Sequence, residues 1–177
     1  MRRMIYLDAE SEGLAPSTSH PRFVALAPES FYDEADDMAP FGSDEGSDTL
    51  RMMERWYTEH GEHADPIAFL DNLLATWGFD VPAQMADASD QQILGWLAED
   101  HMNESVIVSQ AQARIAVALG QLKITGAISP AALAEGRRGV RVMRVITTSA
   151  HRDLDGPDRD RALAALDAIA RVLAGAA

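Results

Sequence analysis

One segment constrains the class of fold more tightly than any other: the fourteen residues from Asp65-Pro66 to Trp77-Gly78. Asp65 offers a side-chain oxygen to cap a helix. Pro66 takes the first helical position, where no N–H is needed, and Gly78 supplies the stop. Between them Phe69, Leu70, Leu73, Leu74 and Trp77 recur every three or four residues, which gathers them on one face of a helix but scatters them over both faces of a strand. The same punctuation returns further on. Ser89-Asp90-Gln91-Gln92 reads as a capping box ahead of Ile93, Leu94, Trp96 and Leu97. Ser129-Pro130 opens a stretch with Leu133, Val140, Met143 and Ile146 inward.

The remaining elements follow by the same logic. Thr18-Ser19-His20-Pro21 starts a helix with hydroxyls available to cap, carrying Phe23, Val24 and Leu26 until Pro28. Ser47 or Asp48 caps a helix with Leu50, Met53, Trp56 and Tyr57 on one face, ended by Gly61. A longer helix runs from about Glu104 to Lys123 with Ile107, Ala111, Ile115, Ala118, Leu119 and Leu122 as its stripe, and its alanines imply close packing. Gly136 and Gly139 predict a kink or break in the Ser129 helix. Asp155-Gly156-Pro157-Asp158 reads as a turn before a last helix carrying Leu163, Leu166, Ile169, Ala170 and Leu173. Trp56, Trp77 and Trp96 fall on apolar stripes and read as core. No run alternates long enough for a sheet. The expectation is all-α: a single compact bundle of about six helices over residues 18–177, preceded by an arm at 1–17 in which Met4 to Leu7 form a short edge strand or a loose tail.

The 177 residues suffice to bury a core without staples. With no cysteine in the chain, disulfides, thiolate nucleophiles and cysteine-held zinc are excluded. The N-terminal apolar run is too short for a signal peptide and no window suits a membrane span, so a cytoplasmic protein is expected. The net charge of −13 is unevenly spread: residues 1–104 hold 22 acids and 5 bases, residues 105–177 hold 6 acids and 10 bases. Such a chain is repelled by nucleic acid and by anionic membranes, which argues against both as partners.

The densest acidity lies in the loop over residues 33–48, which contains seven carboxylates and the run Ala39-Pro40-Phe41-Gly42-Ser43-Asp44-Glu45-Gly46-Ser47-Asp48. An EF-hand register fails there: with Gly46 at the sixth position, Phe41 stands first and Met52 twelfth. Asp44, Glu45 and Asp48 could still hold a cation, cap the Leu50 helix, or meet a basic surface. His60-Gly61-Glu62-His63 lacks a third ligand and is broken by glycine, so it does not match a zinc-hydrolase helix. His20, His101 and His151 are isolated. The basic run from Gly136 to Arg144 puts Arg137, Arg141 and Arg144 on one helical face, fit to bind phosphate or to pair with the acidic half of the chain.

The acidic run from Ala39 to Asp48 resembles the signature of the YfeS-like group of small bacterial proteins of uncharacterised function. Ser19-His20-Pro21, Leu119-Gly120-Gln121-Leu122, Gly126 and Ile128 are similar to that group as well, so the resemblance covers roughly residues 18–130. It implies a bacterial, cytoplasmic, small globular protein and brings no reaction, cofactor or catalytic residue. Two functions are then open. In the first, Phe41, Asp44, Glu45 and Asp48 form a non-catalytic acidic module, without cofactor, that docks a basic protein partner in an immunity- or antitoxin-like manner. In the second, the same carboxylates hold Mg²⁺ or Mn²⁺ while Arg137, Arg141 and Arg144 orient a phosphate for hydrolysis.

Overall fold

The computed structural model describes residues 5–149 and 154–177, and among these every regular element is helical. Seven α-helices occur: α1 (Pro21–Leu26), α2 (Asp44–His60), α3 (Pro66–Trp77), α4 (Asp90–Leu97), α5 (Asn103–Thr125), α6 (Pro130–Thr148) and α7 (Gly156–Ala176). Short 3-10 turns stand at Pro16–Thr18, Glu29–Tyr32 and Met85–Asp87. The expected all-α architecture is present, with seven helices rather than about six.

The caps explain most of the boundaries. Ile67 N–H donates to Asp65 at 2.9 Å, Ala132 N–H donates to Ser129 at 3.2 Å, and Ser89 and Gln92 exchange the two bonds of a capping box. Gly61 and Gly78, both at positive φ, end α2 and α3. Three expectations need correction. At α1 the cap is not a hydroxyl but the His20 ring, whose Nδ1 accepts from Arg22 N–H at 3.0 Å; Thr18 instead accepts from Ala15 N–H, and Ser19 donates to the Ala15 carbonyl, within the preceding turn. At α2 the cap is Ser43, accepting from Gly46 N–H at 3.1 Å, so the helix starts a turn earlier than Ser47 or Asp48. The Asp155–Asp158 turn is the cap and first turn of α7, with Asp155 accepting from Asp158 N–H at 2.9 Å.

α5 is the axis of the molecule. Ala113, Ala116, Val117, Ala118, Leu119, Leu122 and Ile124 are completely buried, so it is apolar on nearly all sides, as a helix surrounded by others must be. Its most extensive contact is with α6, and α2, α3 and α7 pack around the pair. The expected break in α6 does not occur: the helix runs unbroken from Pro130 to Thr148. A Cβ on Gly136 would stand 2.7 Å from Ala118 Cβ, and one on Gly139 would stand 2.5 Å from the Ala111 carbonyl. Both glycines let the two helices approach, and the surrounding packing outweighs their poor helix propensity. A second, smaller cluster joins Met85, Ile93 and Leu97 to Ile107, Val142 and Ile146. The three tryptophans pack against these clusters at stripe edges and remain half-exposed, so they flank the core rather than fill it.

The N-terminal segment forms no edge strand over Ile5–Leu7, and Met4 lies outside the described residues. It is held by contacts to the end of α5, to α2 and to the main core. Tyr6 N–H donates to the Ile124 carbonyl at 2.9 Å, and Leu14 is buried in the main core.

Candidate functional site

Phe41 is the root of the acidic loop. Its ring is buried beside Phe23, with centroids 6.2 Å apart, so it offers no surface to a partner and instead holds the loop to the core. Gly42 is equally constrained, because a Cβ there would run into the Asp36 carbonyl. The acidic stretch is therefore tightly wound. Asp33 and Asp36 accept from Ala35 and Met38 N–H two residues on, as Asx turns do, and Asp36 also accepts from Arg161 of α7 at 2.8 Å.

The first two turns of α2 then divide the remaining carboxylates by environment. Asp44 is exposed, and neither it nor exposed Asp37 has an ion pair among the described residues. Glu45 is half-buried and accepts from the Ser109 hydroxyl of α5 at 2.8 Å. Asp48 stands 3.7 Å from Arg51, with both side chains largely exposed. Carboxylates in a first turn favour the helix dipole.

Behind these groups lies a cavity of about 370 Å³ between the loop and helices α5, α6 and α7. Asp37, Asp44, Glu45, Ser43, Gln112 and Thr147 supply its polar lining; Met38, Ile115, Met143, Leu166 and Ile169 supply most of its apolar lining. Among the described residues no lysine, arginine or histidine contributes. Thr147 is fully buried, and its hydroxyl has no hydrogen-bond partner.

The arginines go elsewhere. Arg137 is exposed, without an ion pair among the described residues. Arg141 donates to the Ala86 and Ala88 carbonyls at 3.3 and 2.5 Å and to Asp90 at 3.0 Å, tying α6 to the turn before α4. Arg144 donates to Asp167 of α7 at 2.8 Å. Arg138, a neighbour outside the predicted face, bridges Asp87 at 2.7 Å and Glu135 at 2.6 Å, and those partners hold its pKa above the usual range. Thus Arg141 pairs inside the acidic half and Arg144 inside the C-terminal part, and none of the three faces the loop cavity. His60 stacks on Trp56 with ring centroids 3.9 Å apart, and His63 is exposed beside Glu62. Among the described residues no three histidines or carboxylates are grouped to hold a metal ion. His151 lies outside the described residues.

One charged cluster escaped sequence reasoning. Lys123 is completely buried, with its Nζ 2.6 Å from Asp8 and 2.5 Å from Glu54. Asp8 N–H donates to the same Glu54 carboxylate at 2.9 Å, and Thr18 Oγ1 donates to Asp8 at 3.0 Å. Burial pushes the Glu54 carboxyl above its ordinary value, against the opposing pull of Lys123. The available signal was a lysine between Leu122 and Ile124 near the end of a long helix rich in alanine, valine, leucine and isoleucine. A few ångströms away, His20 N–H donates to the Lys123 carbonyl at 2.8 Å and the His20 ring lies on Gly126. Ser19-His20-Pro21 and the Leu119–Gly126 stretch, far apart in sequence, therefore meet at one point.

The chain is 32% identical over 126 residues to the uncharacterized protein YfeS of Escherichia coli (strain K12), an alignment that takes in 70% of this chain. The chain is YfeS-like. It spans about half the length of that relative. No family model matches the YfeS-like chain, and no solved structure does. No described helix is long and apolar enough to cross a membrane.

Proposed function

We propose that this YfeS-like chain is a non-catalytic acidic interaction module that docks a basic protein partner through the face formed by Asp37, Asp44 and Asp48. One observation carries the reading: Asp37 and Asp44 are exposed without an ion pair among the described residues, although Arg141, Arg144 and Arg161 sit in the same molecule and bond other groups. Unpaired charges of one sign on a rigidly anchored loop produce a directed field, which speeds encounter with a surface of opposite sign. Phe41 and Glu45 support that face from behind, through the core and through Ser109. An immunity- or antitoxin-like role is of this kind. Nothing in the arrangement of the arginines or of possible metal donors favours the phosphate-hydrolase alternative.

The test is charge reversal at the two exposed carboxylates in the first turns of α2. Asp44→Lys combined with Asp48→Lys should weaken binding of a basic partner by about tenfold or more, with the loss shrinking at high salt. Circular dichroism should stay close to that of the parent chain, with a small fall in the thermal midpoint because lysines oppose the dipole at the start of α2. Affinity unchanged by the double reversal overturns the reading.

A further inference from the structure

The loop cavity is more than the underside of an acidic face. Its carboxylates, Asp37, Asp44 and Glu45, stand where the chain is exposed or half-exposed, while its wall is formed by Met143, Leu166 and other apolar side chains of α5, α6 and α7. Its floor includes Thr147, which is wholly buried. Helical threonines usually turn the hydroxyl back onto a carbonyl of the preceding turn. The adjacent Thr148 does so, donating to Arg144 at 2.9 Å, as does Thr125 to Gln121 at 2.8 Å. Thr147 makes no such bond, and its Oγ1 has no partner among the described residues. A buried hydroxyl is ordinarily satisfied, and of the buried polar groups left unpartnered among the described residues Thr147 alone lines this cavity.

Three features then define the occupant. Charge at the mouth, with no cation in the lining among the described residues, calls for a positive group. The apolar wall calls for a hydrocarbon or aromatic body. The free hydroxyl calls for a hydrogen-bonding atom at the opposite end. The volume of about 370 Å³ lies in the range of small-molecule pockets. We propose that this cavity binds a small organic ammonium ion, with the amine held among Asp37, Asp44 and Glu45, the apolar body against Met143 and Leu166, and a polar tail on Thr147. This site goes beyond protein docking, although Asp37 and Asp44 serve both.

The test uses 4-(2-aminoethyl)phenol and its carboxylate counterpart of similar size, 3-(4-hydroxyphenyl)propionate, titrated into the full chain while methyl resonances of Thr147 and Met143 are followed. The amine should perturb both methyls with saturable, at most millimolar affinity, and the carboxylate should bind at least about tenfold more weakly. Ala165→Leu narrows the cavity without touching a carboxylate and should cost about tenfold in amine affinity. Thr147→Val keeps the shape but removes the hydroxyl and should also weaken binding. Each variant is first checked for native helicity and melting, and whichever of the two folds decides the matter if the other does not. Equal affinity for amine and carboxylate, no saturable shift with the amine, or affinity unchanged in a folded variant overturns the proposal. Asp48 is not part of the lining, so Asp48→Lys should leave amine binding intact while weakening a protein partner. The two readings can therefore fail separately.

Discussion

At Lys123 a single side chain balances two carboxylates inside the protein. A buried ion pair is weak evidence of net stabilisation, because desolvating the charges offsets much of their attraction. Removing one member is a different matter: Lys123→Met would leave Asp8 and Glu54 facing each other with nothing between them. The expected loss is about 3–5 kcal/mol in chemical denaturation. Adding Glu54→Gln to Lys123→Met should recover part of it, since the repulsion is then gone. A single variant as stable as the parent would mean that water already reaches the group. Nothing in the sequence around Lys123 names its partners, because Asp8 and Glu54 come from segments 115 and 69 residues away. Phe41 shows the converse. Its place beside the acidic run suggests a binding residue, yet its ring is the plug that fixes the run to the core.

At the level of elements, the caps of α3, α4 and α6 were easier to anticipate than the role of the two glycines inside α6. A cap is local chemistry: Asp65, Ser89 and Ser129 each find their partner within three residues. Gly136 and Gly139 look like helix weaknesses when α6 is considered alone, and are necessities once α5 lies against them. Gly139→Ala tests this directly. Helix propensity alone would make it stabilising by up to about 1 kcal/mol. Overpacking against the Ala111 carbonyl and Ile115 should instead destabilise by roughly 1–3 kcal/mol, seen as a lower denaturation midpoint. A rise in the midpoint would show that α5 and α6 can separate without cost. The early start of α2 has a similar cause, since Ser43 can cap only because Phe41 and Gly42 have already wound the chain tightly against the core.

Across the whole molecule, His20 joins the parts that sequence separates: it caps α1, bonds the end of α5 and packs on Tyr6 of the N-terminal segment. Burial, and secondarily the Arg22 guanidinium, lower its pKa below the ordinary 6.5. The folded chain then binds fewer protons there than the unfolded chain, so this contribution to stability is full above about 6.5 and is lost as pH falls through the lowered value. Glu54 acts in the opposite sense. With its pKa raised above 4.5, it favours the fold on its acid side and loses that benefit as pH rises from about 4.5 through the raised value. The parent's thermal midpoint should therefore fall more steeply than that of His20→Asn, which can still cap, as pH is lowered from 7.5 to about 5.5. Parallel profiles would exclude His20 as the cause. The class of fold, most helix ends and the acidity of the 33–48 run were determined by the sequence by itself, because caps, periodicity and charge act over a few residues. Which carboxylates are spent on Ser109, Arg161 or Lys123, which arginines turn away from the loop, and the cavity over Thr147 were decided only by the tertiary structure. They depend on which distant side chains packing brings within about 3 Å, and no local pattern carries that distance.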